Sequence, residues 1–254
     1  MSASGNAAPV MSVRGLSRRF GGLQAMDDVS FDLHAASIVG VIGPNGAGKT
    51  TLFNQLTGFI RPDAGSILLD GRSIVGLAPH VICRRGLVKT FQNVATFGDM
   101  TVLENATVGA LAHHPIATAR EKAALALRQV GLQARLASPA GQLSLPEKAR
   151  LELARALATE PKVMLLDEVM ATLTSSEQRD IVAMAKELAA GGMTLLVIEH
   201  HMKTVMSLCE RILVLNFGRL IASGTPAQVS SNPNVVAAYL GTRAAAELAD
   251  ARDR

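Results

Sequence analysis

The chain has 254 residues, 48% of them hydrophobic and 18% charged, with a formal net charge of +4. That supplies the core of one sizeable α/β domain or two small lobes. Seven Phe, one Tyr and no Trp offer few stacking platforms, and basic residues fall in scattered pairs such as Arg18-Arg19 and Arg84-Arg85, which argues against nucleic acid as a partner.

No apolar run approaches the ~18 residues needed to cross a bilayer, so a link to a membrane would run through a partner. Residues 1–9 lack the charged start and apolar core of a signal peptide and read as a short disordered tail. Cys83 and Cys209 sit in no CxxC or His-rich neighbourhood and read as buried, reduced thiols of a cytosolic protein.

From Val10 to Leu33, short alternating runs break at Gly21-Gly22, and Val29–Leu33 predicts a half-buried antiparallel strand. Ser37–Ile42 reads as a buried strand, with a helix following to about Thr57. Pro62–Gly65 is a turn before a strand over Ser66–Asp70. His80–Gly86 reads as helical and Leu87–Phe91 as strand-like.

The middle of the chain differs. Thr101 to about Ala158 is rich in Ala, Leu, Glu and Arg, and Glu121–Val130 has amphipathic helical spacing. This reads as an all-helical insertion within one α/β core. The α/β pattern resumes with a strand at Lys162–Asp167, a helix over Ser175–Ala190 and a buried strand at Thr194–Ile198. Arg211–Leu215 and Arg219–Ala222 flank a hairpin turn, and a last helix covers roughly Asn234 to Ala251.

Chemistry enters at residues 43–50. Gly43, Pro44, Asn45, Gly46, Ala47, Gly48, Lys49 and Thr50 fill every fixed position of G-x-x-x-x-G-K-[ST]. The pattern lies between a predicted strand and a predicted helix, the context of a phosphate cradle. Backbone N–H groups there point inward, and the helix N-terminus adds partial positive charge. Lys49 would reach the outer phosphates of a nucleoside triphosphate, with Thr51 beside them, and Thr50 would hold Mg²⁺.

Asp167 and Glu168 close a buried strand. They read either as a cap on the next turn or as a pair holding Mg²⁺ and polarising a water; the complete phosphate loop upstream favours the second reading. Gln92 reads as a surface glutamine or as an amide touching both Mg²⁺ and the attacking water. His200 ends the Thr194–Ile198 strand and reads as a structural histidine or as a γ-phosphate ligand. His201, His113 and His114 read as structural.

In order and spacing these pieces resemble the ATP-binding cassette (ABC) ATPase family over nearly the whole chain. Phe20 fits the aromatic that stacks on adenine, 43–50 the Walker A loop, Gln92 the Q-loop, and Val163–Glu168 the Walker B strand with its glutamate. Ala171–Thr174 fits the D-loop and His200 the switch histidine. Leu143-Ser144 opens the signature segment, with Ser144 acting in trans. Within the family the chain is similar to ATPases of branched-chain amino acid importers, through 16–23, 91–93, 100–105, 197–202 and 238–241.

The resemblance implies a P-loop (RecA-like) α/β core with an antiparallel β subdomain, over 10–92 and 159–254, and a helical subdomain over 93–158. It implies ATP and Mg²⁺, catalysis by Glu168, His200 and Gln92, and metal binding by Thr50, Gln92 and Asp167. It implies a second cassette, two transmembrane permease subunits, a periplasmic solute-binding protein acting indirectly, and a place on the cytoplasmic face of the inner membrane. The chain departs from the family where Leu145, Pro146 and Glu147 replace Gly-Gly-Gln, where Val169 replaces a proline and where Thr172 replaces a glycine. These departures favour a heterodimer over a homodimer.

Overall fold

The computed structural model describes residues 8–90, 96–171 and 173–240. Met11–Phe20 (β1) and Leu23–Leu33 (β2) form an antiparallel hairpin turning at Gly21-Gly22. Ile38–Ile42 (β3) leads through the glycine-rich loop into Lys49–Leu56 (α1). Ala64–Leu69 (β4), Arg72–Ser73 (β5), Pro79–Arg84 (α2) and Leu87–Lys89 (β6) follow. The helices Val102–Ala110 (α3), Ile116–Gln129 (α4) and Leu145–Leu157 (α5) then come without an intervening strand.

The chain returns through Val163–Asp167 (β7), Ser175–Ala190 (α6), Thr194–Ile198 (β8) and Met202–Leu208 (α7). Arg211–Asn216 (β9), Arg219–Gly224 (β10), Pro226–Ser230 (α8) and Pro233–Leu240 (α9) complete it. The hairpin belongs to a four-stranded antiparallel sheet, β2-β1-β4-β5; the second sheet runs β10-β9-β3-β8-β7-β6, parallel except for β10 at its edge.

Every residue of β3, β7 and β8 is buried, as continuous apolar runs require when both faces of a sheet are covered. The pleat divides them between two cores. Val39, Val41, Val163 and Leu165 pack with Leu52, Phe53 and Leu56 of α1 and with the antiparallel sheet. Ile38, Ile42, Met164 and Leu166 share a core with α3, α4, α5 and α6. The sandwich thus holds the C-terminal ends of β3, β7 and β8 side by side, with Asp167 paired to Ile198 and Val41 to Ile198.

Helix α6 and strand β8 lie where the sequence puts them. Helix α4 begins at Ile116, ahead of the predicted Glu121, because the extended Pro115 starts it. The short helices α7 and α8 were not expected. The last helix begins at Pro233, and its predicted continuation past Leu240 lies outside the described residues. Cys209 is a buried thiol, packed where a side chain on Gly40 would meet its sulfur at 3.0 Å, and burial pushes its pKa up to about 12. Cys83, expected to be buried, is only half-buried, because it lies on the short surface helix α2.

Candidate nucleotide site

The loop between β3 and α1 takes its shape from glycine. A Cβ on Gly43, at φ +155°, would lie 2.2 Å from the Leu215 carbonyl oxygen. One on Gly48, at φ +104°, would lie 2.8 Å from that of Ala25. Both positions therefore exclude a side chain. Ala47 N–H donates to Pro44 O (3.1 Å), Gly218 N–H to Ala47 O (2.9 Å) and Asp27 N–H to Gly218 O (2.8 Å), so β2 and the β9–β10 turn brace the loop from behind.

Lys49 is buried, and its ammonium donates to the carbonyls of Gly43 (2.7 Å) and Pro44 (3.1 Å). Desolvation lowers its pKa, while Glu168 and then Asp167 oppose that shift. A cation held this way at the N-terminal end of α1 is matched to several negative oxygens.

A cavity of about 390 Å³ opens over this loop. Asn45 to Thr51 line one side, Phe20, Leu23 and Ala25 another, and Glu168 and His200 the far wall. Phe20 is 42% exposed, with the Arg18 guanidinium 4.9 Å from its ring centroid. Thr50 and Thr51 fall in the first turn of α1.

Asp167 ends β7 in a buried ion pair with Lys89, 2.8 Å away, the two side chains being 8% and 7% exposed. Asp167 N–H donates to Thr90 Oγ1 (3.3 Å), and that hydroxyl donates to Leu165 O (3.3 Å). Glu168 stands in the left-handed region at φ +53°, a conformation non-glycine residues hold only under constraint. Its N–H donates to Ile198 O (3.0 Å), and its Oε1 lies 2.5 Å from His200 Nε2.

Two residues of this region escaped sequence reasoning. Lys89 carried the signal of a lone cation in an apolar strand. Glu199 carried that of an acid directly after five buried residues. Glu199 is 4% exposed, and its pKa is raised to about 7, first by burial and then by the nearby Glu168. Met170 N–H donates to its Oε1 (3.0 Å).

Ser144 does not line the cavity. It is the N-cap of α5, where Glu147 folds back to accept from its N–H (2.8 Å) and its hydroxyl (2.9 Å). Arg135 lies 3.2 Å from the other oxygen of Glu147, and these contacts hold the carboxyl below its ordinary pKa, the Ser144 N–H foremost. Gln92 and Thr172 lie outside the described residues. His114 is structural, bonded to Glu160 at 2.6 Å. Among the described residues no helix is long and apolar enough to cross a membrane.

A family model described as ABC transporter matches residues 26–171. The chain belongs to the ABC transporter ATPase family. A second model, the branched-chain amino acid ATP-binding cassette transporter, matches 219–245. The chain is 43% identical over 250 residues to the high-affinity branched-chain amino acid transport ATP-binding protein BraF of Pseudomonas aeruginosa, covering 92% of this chain and 98% of the relative. It is 41% identical over 252 residues to LivG of Escherichia coli, a protein of the same description, with the same coverage.

Among solved structures, the ADP conformation of MJ1267, an ATP-binding cassette of an ABC transporter, superposes with a TM-score of 0.85 at 31% identity, covering 92% of this chain and all of that one. A nucleotide-free cassette superposes at 0.83 with 30% identity, covering 91% and 99%. This ABC ATPase is therefore a nucleotide-binding, ATP-hydrolysing transporter subunit on a P-loop α/β fold.

Proposed function

We propose that this ABC ATPase drives import of branched-chain amino acids or related small solutes. The carrying observation is 41–43% identity to LivG and BraF over nearly their full length, supported by the match of 219–245 to the branched-chain amino acid cassette model. An export reading has weaker support: the lipopolysaccharide export ATP-binding protein LptB of Escherichia coli is 34% identical over 233 residues. The chain would sit on the cytoplasmic face of the inner membrane, beside a second cassette and two permease subunits fed by a periplasmic binding protein. The region 93–158 would form the helical lobe that presents Ser144 to the other cassette's nucleotide.

Each residue then has a task. Phe20 stacks on the base, with Arg18 against its ring. Lys49 exchanges its two loop carbonyls for phosphate oxygens. Thr50, Asp167 and Gln92 would hold Mg²⁺; the donor set fits, since a hydroxyl, a carboxylate and an amide oxygen are the hard oxygen donors Mg²⁺ takes, and Asp167 directly precedes Glu168 of the cavity wall. The metal would supply neutralisation of phosphate charge. Glu168 accepts the proton of the attacking water, and His200 holds that carboxylate now and contacts the γ-phosphate when nucleotide is present.

The test is Glu168→Gln in the assembled transporter. Phosphate release should fall by about 10²–10⁴-fold while ATP affinity stays near that of the unmodified protein. Near-normal turnover would remove Glu168 from the role.

A further inference from the structure

Strands β7 and β8 are parallel neighbours, and an acid directly follows the last residue of each. Glu168 follows Asp167, which pairs with Ile198, and Glu199 follows Ile198. The two carboxylates have opposite fates. Glu168 faces the nucleotide cavity and meets His200. Glu199 is buried beneath the turn that carries Glu168, and there it accepts from Met170 N–H at 3.0 Å.

That turn is held in several places. Glu168 N–H donates to Ile198 O, and Ala171 N–H to Glu168 O at 3.2 Å. Gln178 of α6 donates from Nε2 to the carbonyls of Met170 (3.2 Å) and Leu173 (3.1 Å), and its Oε1 accepts from Thr204 of α7 (3.3 Å). The consecutive residues Glu199 and His200 therefore grip the turn at two points, one by its backbone and one by the side chain of Glu168. The left-handed φ of Glu168 persists only if its surroundings fix it.

We propose that Glu199 is the positioning residue of the catalytic carboxylate: through the Met170 N–H it fixes the turn 168–171, and so the direction in which Glu168 meets the attacking water. The proposal rests on Glu168 being the base. Because Glu199 and His200 are adjacent, any movement of the switch segment reaches Glu168 through both grips together. Glu199 is buried and does not line the nucleotide cavity, so its loss acts on the chemical step and not on binding.

The experiment uses the assembled transporter with the substitution in this chain alone, and Glu168→Gln as a control. Glu199→Met removes the acceptor at similar volume. Glu199→Gln keeps an oxygen that accepts from Met170. For Glu199→Met, kcat should fall about 10–100-fold, the scale of a small misplacement of a catalytic group, with KM for ATP within about twofold. Glu199→Gln should restore most of the rate.

Three results would overturn the proposal: a kcat for Glu199→Met within about twofold of wild type, equal losses in Met and Gln variants, or a loss that falls on ATP affinity as heavily as on kcat. If Glu199→Met does not fold, replacing Met170 with its α-hydroxy acid deletes the same donor from the other side and is judged by the same criteria. An active Glu168→Gln control would instead remove the reading on which the proposal stands.

Discussion

A carboxyl buried beside another carboxylate keeps its proton to higher pH than one in water. Glu199 is such a group, with Glu168, His200 and Cys209 as its titratable neighbours. Its pKa rises from 4.5 to about 7 on folding. Between those values the folded protein binds more protons than the unfolded chain, so stability falls as pH rises. The favourable contribution is whole below about 4.5, is lost by about 7, and amounts to roughly 3 kcal/mol. Glu199→Gln cannot titrate there. Urea denaturation of both proteins from pH 5 to 8 should show wild type losing stability relative to the variant across that range; parallel curves would refute it. The same neighbourhood shows what the sequence reveals at this scale. Lys49, Asp167 and Glu168 were legible because a local motif gives them roles. Lys89 and Glu199 were not, because their partners, Asp167 and Met170, reach them only when β6, β7 and β8 line up.

The start of α5 shows how an element can change the meaning of a residue. As a sequence, Leu145-Pro146-Glu147 reads as the loss of two glycines and a glutamine from a phosphate-binding loop. In the fold, Ser144 and Glu147 form a capping box, and Pro146 falls in the first turn, where its missing N–H leaves no helical bond unmade. Glu147 is thus held at the helix end by Ser144 and Arg135. Glu147→Ala should cost about 0.3–1.5 kcal/mol, nearly all from the capping box, since the Arg135 pair is partly exposed and weak. A melting temperature lower by a few degrees would register it, and an unchanged one would mean that the cap contributes nothing. Elements with long periodic or wholly apolar patterns, α6 and β8, were legible to the residue. Helices α7 and α8 are too short for periodicity to reveal; α8 rests on the Thr225–Gln228 box, a signal of cap chemistry and not of pattern.

At the scale of the whole molecule, the cavity over the phosphate loop has Lys49, Glu168 and His200 in place, while Ser144 stands apart from it. If ATP is closed between two cassettes, each site takes its phosphate loop from one chain and its signature from the other. This chain's loop has every residue the motif requires. Its signature end offers the Ser144 hydroxyl, already bonded to Glu147, beside an exposed Leu145 and a proline without an N–H. In a homodimer both sites would receive that end. In a heterodimer only the partner's site would, and the site built on Lys49 and Glu168 would receive the partner's signature. The heterodimer predicts unequal sites. Glutamate-to-glutamine substitutions, one in each cassette of the reconstituted transporter, measure the inequality by steady-state phosphate release. Glu168→Gln should abolish most turnover, and the partner's equivalent substitution should leave most of it. Equal losses would mean that Ser144 and the α5 N-terminus suffice to bind phosphate despite Glu147. Full activity from this chain as a homodimer would mean the same and would rule out the asymmetric assembly.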